Sequence, residues 1–282
     1  MAELPAEQIF QDLRRSIPQG TRRIPDHEIT DAIRKAMADH DGVFTSQPRP
    51  EPVVHNGKVA LRNIINQGKF SDEGDLWDAS PIRLWHELQD DPAFFLEIMF
   101  QPNNLVWIGE HDEPGILGET IRSASEWIHY FHNGGKTSPH IIINPLSGMP
   151  VPTKSGDKTT LRGDRNVTKF LYVLVEFDDL LREEQLRFWS AIRLPVVALI
   201  DSGGKSIHAW LDVSNLAGIA TTDDWQTHIK SNLFDRLLTP LGVDGACKNP
   251  ARLSRLPGHY RTKKGKFQRL LWLSPEGRPV SC

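Results

Sequence analysis

The hydrophobic pattern divides the chain into a helical first third and a strand-rich remainder. Over 28–40, Ile29, Ala32, Ile33 and Met37 recur at helical spacing, with Asp26 as the cap before them. Residues 44–58, with Pro48, Pro50 and Pro52, read as a linker. The run Pro81–Leu88 predicts a further helix with Pro81 in its first turn. From Asn104 the texture changes. Leu105–Ile108 predicts a strand, and Glu119–Phe131 a helix striped by Ile121, Ala124, Trp127, Ile128 and Phe131. His140–Asn144 predicts a short strand that Pro145 ends, followed by a polar loop over 147–166. Lys169–Glu176 is nearly continuously apolar, which predicts a central strand buried on both faces. Helices over 182–193 and 222–238 and strands over 196–201, 206–213 and 267–273 complete the pattern. The fold class expected is α/β (α+β), with a catalytic domain over 104–282 behind a helical accessory region over 1–103.

Composition narrows the function classes little. Of 282 residues, 39% are hydrophobic and 24% charged, as in ordinary globular chains. No apolar run approaches the ~20 residues of a membrane span, and the first residues lack a signal-peptide pattern. Two cysteines, Cys247 and Cys282, are too few for a disulfide framework or a cysteine zinc site. The expectation is a reduced, cytoplasmic protein with no membrane partner and no zinc. The net charge of -3 conceals an uneven distribution. Between Gly245 and Pro275 stand eight Lys/Arg (Lys248, Arg252, Arg255, Arg261, Lys263, Lys264, Lys266, Arg269) and no Asp or Glu. A phosphate-handling face and a merely solvated basic surface both fit that run.

Three segments carry candidate chemistry. In Val173-Leu-Val-Glu176-Phe-Asp178-Asp179, residues two apart point to one face of a strand, so Glu176 and Asp178 project together. Paired carboxylates repel unless a cation neutralises them, and Mg²⁺ or Mn²⁺ favours carboxylate oxygen. A strand end emerging into solvent fits the pair as well, and Asp179 suits a helix N-terminus. The second segment is Ile200-Asp-Ser-Gly-Gly-Lys205-Ser206-Ile-His208-Ala-Trp210. Its two glycines permit a tight turn whose amides can cradle phosphate, with Lys205, Ser206 and His208 beside it. The alternative is a plain Gly-Gly hairpin with His208 a satisfied core histidine. The spacing is not that of a P-loop. The third segment is Asp244, then Lys248-Asn-Pro-Ala-Arg252-Leu-Ser-Arg255-Leu-Pro-Gly258-His-Tyr-Arg261. Arg252 and Arg255 share a face if this stretch is helical, and guanidinium groups suit phosphates. Asp244 as a loop aspartate and the arginines as a solvated face are the bland readings.

Taken in order, the E-x-D, the S-G-G-K-S-x-H and the Asp before N-P-x-R-L-x-R-L-P-G resemble the three motifs of the archaeo-eukaryotic primase (AEP) superfamily. The likeness is closest to primase-polymerases of bacteriophages and mobile elements and covers residues 104 to 282. Asn144-Pro-Leu-Ser-Gly and Leu161-Arg-Gly-Asp resemble the segment that precedes the first motif in such phage proteins. The resemblance implies an AEP-like core with an RRM-like sheet. It implies a DNA-dependent nucleotidyl transferase that makes or extends primers on single-stranded DNA from NTPs or dNTPs, by two-metal phosphoryl transfer. Glu176, Asp178 and Asp244 would hold two divalent ions, Mg²⁺ or Mn²⁺, and Ser206 and His208 would contact the nucleotide phosphates. Lys205, Arg252 and Arg255 would spread the triphosphate charge. Arg261, Lys263, Lys264 and Lys266 would hold the template backbone. The first acid is Glu176 where many members have Asp, which puts the metal spacing in question. Phage relatives join this domain to a helicase, so a replicative helicase acting in trans is an implied partner. Two rivals stand beside this reading. One is a non-catalytic replication initiator of the same fold. The other is a strand-nicking protein, which needs a second histidine near His208 and a nucleophilic tyrosine in a suitable motif; Tyr130 and Tyr172 sit in none.

Overall fold

The structure, a computed structural model, describes residues 6–16, 25–38, 57–153, 155–216 and 218–281. The expected linker lies outside these residues as far as 56. The chain forms two compact units, 1–54 and 55–282. The first holds α1 (Ala6–Ser16) and α2 (Asp26–Ala38), with an ion pair of 2.8 Å between Arg14 and Asp26.

The second unit opens with four helices: α3 (Gly57–Gln67), α4 (Glu73–Ala79), α5 (His86–Gln89) and α6 (Pro92–Met99). The sequence explains two of their starts. Asp72 and Asp75 form a capping box at α4. Asp91 caps α6 ahead of Pro92 at its first turn. Leu76, Phe95, Leu96 and Met99 are buried in the same core as the sheets that follow. The compact units therefore divide near residue 54, not at the change of texture near residue 104.

The first sheet comprises β1 (Leu105–Gly109), β2 (Ile121–Ser123), β3 (His140–Ile142) and β9 (Leu253–Arg255), in the order β2-β1-β3-β9. Helix α7 (Ala124–His132) follows β2, and β4 (Val151–Pro152) pairs with β5 (Thr159–Thr160) within the polar loop. The second sheet comprises β6 (Tyr172–Val175), β7 (Val196–Asp201), β8 (Ile207–Asp212) and β12 (Arg269–Arg278), all antiparallel neighbours, in the order β12-β7-β8-β6. Helix α8 (Arg182–Ala191) joins β6 to β7. Helix α9 (Thr222–Trp225), continued by a wider helix over Gln226–Leu238, lies between β8 and β9. A hairpin of β10 (Tyr260–Arg261) and β11 (Lys266–Phe267) precedes β12. The class is mixed α and β. Period-2 alternation divides the first sheet's faces. Val106, Ile108, Ile141 and Ile143 join the main core, while Trp107 and Ile142 pack with Ile121, Leu146 and Ala251 in a second cluster.

Four expectations are corrected. The helix placed over 81–88 shrinks to α5, because Ile82 donates to the Leu273 carbonyl and Leu273 donates to the Ser80 hydroxyl, holding the segment extended against β12. Helix α7 starts at Ala124 rather than 119, since Ile121–Ser123 pairs with β1 and Ser123 forms a capping box with Glu126. Residues 253–255 form strand β9, so Arg252 and Arg255 do not share a helix face. The apolar run ending at Glu176 is an edge strand, not a central one. Its faces are nonetheless buried, and its free edge is closed by polar groups. The Asn144 Oδ1 accepts from the amides of Leu171 (2.8 Å) and Tyr172 (2.9 Å), and its Nδ2 donates to the Tyr172 carbonyl. The Asp244 amide closes the far end by donating to the Glu176 carbonyl at 2.9 Å. One fully buried asparagine thus ties β3 to β6 and satisfies backbone groups that a bare edge would leave unpaired.

Candidate active site

Glu176 leaves the end of β6 toward a cleft, Phe177 turns back into the core against Phe188, and Asp178 faces the cleft again. The edge bond between Asp244 and Glu176 brings the third acid to the same place. Carboxylate oxygens of Glu176 and Asp244 and the Cys247 sulfur lie within 4.8 Å of one another. The Cys247 S–H stands 3.6 Å from Glu176 Oε1 and 3.7 Å from Asp244 Oδ2. Asp178 lines the cleft outside this tight group. Its carboxyl is raised above the usual range by partial burial, then by the charges of Glu176, Asp244 and Asp179. Burial pushes Glu176 in the same direction, but the hydrogen bond and charge of His208, then Arg252 and Cys247, outweigh it and bring it down to about 2.

The opposite wall is the turn between β7 and β8. It is a Gly-Gly hairpin, and it also lines the cleft through Gly203, Gly204, Lys205, Ser206 and His208. Gly203 has φ +64, and a Cβ there would meet the Phe267 carbonyl oxygen at 3.1 Å. The Lys205 ammonium donates to the Asp178 carbonyl at 3.2 Å. His208 is buried, with Nε2 3.0 Å from Glu176 Oε2 and Nδ1 3.3 Å from the Ser254 hydroxyl. Trp210 Nε1 donates to that hydroxyl at 2.8 Å. Trp210 Nε1–H thus holds the Ser254 hydroxyl against His208 Nδ1, and His208 Nε2 faces the acid.

The arginines divide. Arg252 Nη2 lies 3.2 Å from Asp244 Oδ2 and 3.6 Å from Glu176 Oε1, where it occupies the position of a cation between the two acids. Arg255 is half-buried and donates from Nη1 to His140 Nε2 at 2.7 Å. Burial, then the neighbouring Arg261, weakens its hold on its proton. His140 is pushed down to about 3 by burial and by Arg255, so it accepts as neutral imidazole. Arg261 donates to the Ser202 carbonyl at 2.9 Å and, with Lys264 and Lys266, forms the rim of the cleft. Lys263 is exposed beyond it. Lys248 and Arg269 turn inward instead, to Asp235 and Asp90.

No family model matches the chain, and no curated protein matches it. Among solved structures it is similar to the AEP domain of a primase-polymerase from cyanophage S-2L. The two are 16% identical, with 68% of this chain and 93% of that chain covered, at a TM-score of 0.41. Function is therefore read from the cleft itself.

The donor set fits a hard divalent cation: carboxylates converge, Asp178 is raised by burial and then by the neighbouring acids, and a guanidinium stands between two of them. The thiol of Cys247 is a softer donor, and burial drives its proton affinity up. Several residues of the cleft had no sequence signal. Cys247 sits in no motif, His140 meets Arg255 only through the pairing of β9 with β3, and Ser254 meets His208 only across the two sheets. Gln185 is buried on α8, donates to the Lys205 carbonyl at 3.2 Å and accepts from the Ile207 amide at 2.8 Å, so it holds the Gly-Gly turn in place. Among the described residues, no helix is long and apolar enough to cross a membrane.

Proposed function

We propose that the chain is a primase-polymerase, a nucleotidyl transferase that makes or extends strands on a single-stranded DNA template. One juxtaposition carries the reading: Glu176, Asp178 and Asp244 face Lys205, Ser206 and His208 across a single cleft rimmed by Arg255 and Arg261. Acids alone describe a cation site, and cations alone a phosphate site. Together they suit phosphoryl transfer, which is mainly positioning and charge stabilisation.

In this reading Glu176 and Asp244 hold the divalent ions, with Asp178 completing the set. Bound Mg²⁺ or Mn²⁺ supplies a lowered pKa at the attacking hydroxyl and neutralises charge on the reacting phosphate. His208 turns Nε2 toward Glu176 at the cleft, its ring held from behind by Ser254 and Trp210. A donor that needs no reorientation is worth most where charge develops. Lys205 and Arg255 spread the charge of the triphosphate, and His140 accepts from Arg255 as a neutral imidazole that adds no like charge beside it. Arg252 takes part differently from the arginine role first assigned to it. It lies 3.2 Å from Asp244 Oδ2 and 3.6 Å from Glu176 Oε1, and in this reading a bound cation would take that position and leave the guanidinium for phosphate.

The test is incorporation of labelled NTPs or dNTPs on a single-stranded template with Mg²⁺ or Mn²⁺, with and without a primer. Asp178→Ala or Asp244→Ala should abolish incorporation while fold and DNA binding persist. Continued strand extension by either variant would remove the assignment. A sequence-specific footprint without incorporation by the wild type would favour the replication initiator.

A further inference from the structure

The hairpin β10–β11 has features that its charge does not explain. Tyr260 and Phe267 are paired across its two strands, with ring centroids 4.9 Å apart. Both are exposed, at 46% and 39%. A cross-strand aromatic pair stabilises a hairpin, but that contact needs neither ring to keep a face in water. Around them stand Arg261, Lys263, Lys264 and Lys266, none with a carboxylate at ion-pair distance among the described residues. The segment from Gly245 to Pro275 has no acid at all. The hairpin is also fastened to the cleft: Arg261 donates to the Ser202 carbonyl, and the Phe267 backbone lies against Gly203. At its base, Gly258 donates to the Gln268 carbonyl and has φ +87. A Cβ at Gly258 would stand 2.4 Å from the Asp90 carbonyl oxygen, so only glycine fits there.

We infer that Tyr260 and Phe267 form a base-stacking platform for a single-stranded polynucleotide, whose phosphates lie along Arg261, Lys263, Lys264 and Lys266. Unpaired bases offer π faces that exposed aromatic rings cover, while lysines track the backbone, and the combination is tolerant of sequence. Double-stranded nucleic acid hides those faces within the stack. Because the hairpin lies against the Gly-Gly turn, a strand held on it enters the cleft from that rim. The inference rests on the nucleotidyl-transferase reading for the use of the strand, but not for its binding.

The experiment uses the full chain without metal or nucleotide. Fluorescence anisotropy compares oligo-dT, oligo-rU and an abasic oligodeoxyribose phosphate of equal length and charge. The wild type should bind a base-bearing strand roughly tenfold more tightly than the abasic one, and the dT and rU arms identify which strand it takes. Tyr260→Leu with Phe267→Leu keeps the apolar contact of the hairpin and should erase that preference, leaving abasic binding and the salt slope unchanged. Tyr260→Trp with Phe267→Trp should restore it. Quenching of 2-aminopurine in a bound oligonucleotide reads the same contact in the wild type, independently of how the variants fold. A leucine variant that keeps the preference, a wild type without one on either strand, or unquenched 2-aminopurine would overturn the inference. Base-dependent binding by a protein that incorporates no nucleotide would overturn the functional reading and leave this one standing.

Discussion

Two walls of the cleft, the acids with the His208 and Arg252 that hold them and the β10–β11 hairpin at the rim, handle charge in opposite ways. The acid wall is internally compensated: Glu176 is held by His208, Asp244 by Arg252, and both lie beside a buried thiol. The second wall, the β10–β11 hairpin at the rim, leaves Lys263, Lys264 and Lys266 exposed, with no carboxylate at ion-pair distance among the described residues, beside two exposed rings. Half-buried charges feel a low effective dielectric and are expensive to leave unpaired, whereas exposed ones are screened within about 10 Å at 0.1 M salt. The first arrangement suits chemistry that depends on fixed geometry. The second suits affinity that depends on counterion release.

Four perturbations separate the walls, beginning with the largest effect. Asp244→Asn keeps the shape but removes a charge from the cation site, and should lower incorporation by at least roughly 100- to 1000-fold, the scale of removing one preorganised charge-stabilising group. Arg252→Gln removes the guanidinium that stands between the acids, and should tighten Mn²⁺ binding. Two charges 4 Å apart interact by about 4 kcal/mol at an effective dielectric of ~20, and after solvent screening we expect roughly tenfold. Electron paramagnetic resonance of free Mn²⁺ reads this directly, and unchanged affinity would show that Arg252 does not occupy the cation position.

The third perturbation is pH. His140 is lowered from 6.5 to about 3 in the folded protein. The unfolded chain therefore binds more protons in that window, and the stabilisation present above pH 6.5 is lost as pH falls toward 3. The loss should be on the order of 1 kcal/mol, given partial exposure. His140→Gln should flatten the dependence of denaturant midpoint on pH between 6.5 and 4.5, a range above that in which Glu176 titrates. The smallest effect belongs to the hairpin. Lys263→Gln and Lys264→Gln should each reduce the slope of log affinity for single-stranded DNA against log salt by about 0.7.

Much of this cleft was legible in the chain because its parts are local. Period 2 alone sends Glu176 and Asp178 one way and Phe177 the other, and two adjacent glycines mark the turn carrying Lys205, Ser206 and His208. What was not legible depends on contacts between distant segments. Nothing near Asn144 indicates that its amide will close the edge of β6, 27 and 28 residues away. The apolar run of β6 therefore looked central. Arg252 and Arg255 would share a face on a helix, yet the stretch is a strand, and its pairing with β3 leaves the first beside the acids and the second beside His140. Likewise Phe95 and Leu96 join the main core from a helix with no motif to link it to the sheets.

The account predicts that the two walls fail differently, and one measurement decides it. Incorporation is followed as a function of single-stranded template concentration for the wild type, for Asp244→Asn and for Lys263→Gln with Lys264→Gln. The hairpin variant should require more template but reach the wild-type rate at saturation, and the acid variant should remain inactive at any template concentration. An acid variant that template restores, or a hairpin variant that stays slow at saturation, would contradict the division of labour between the walls.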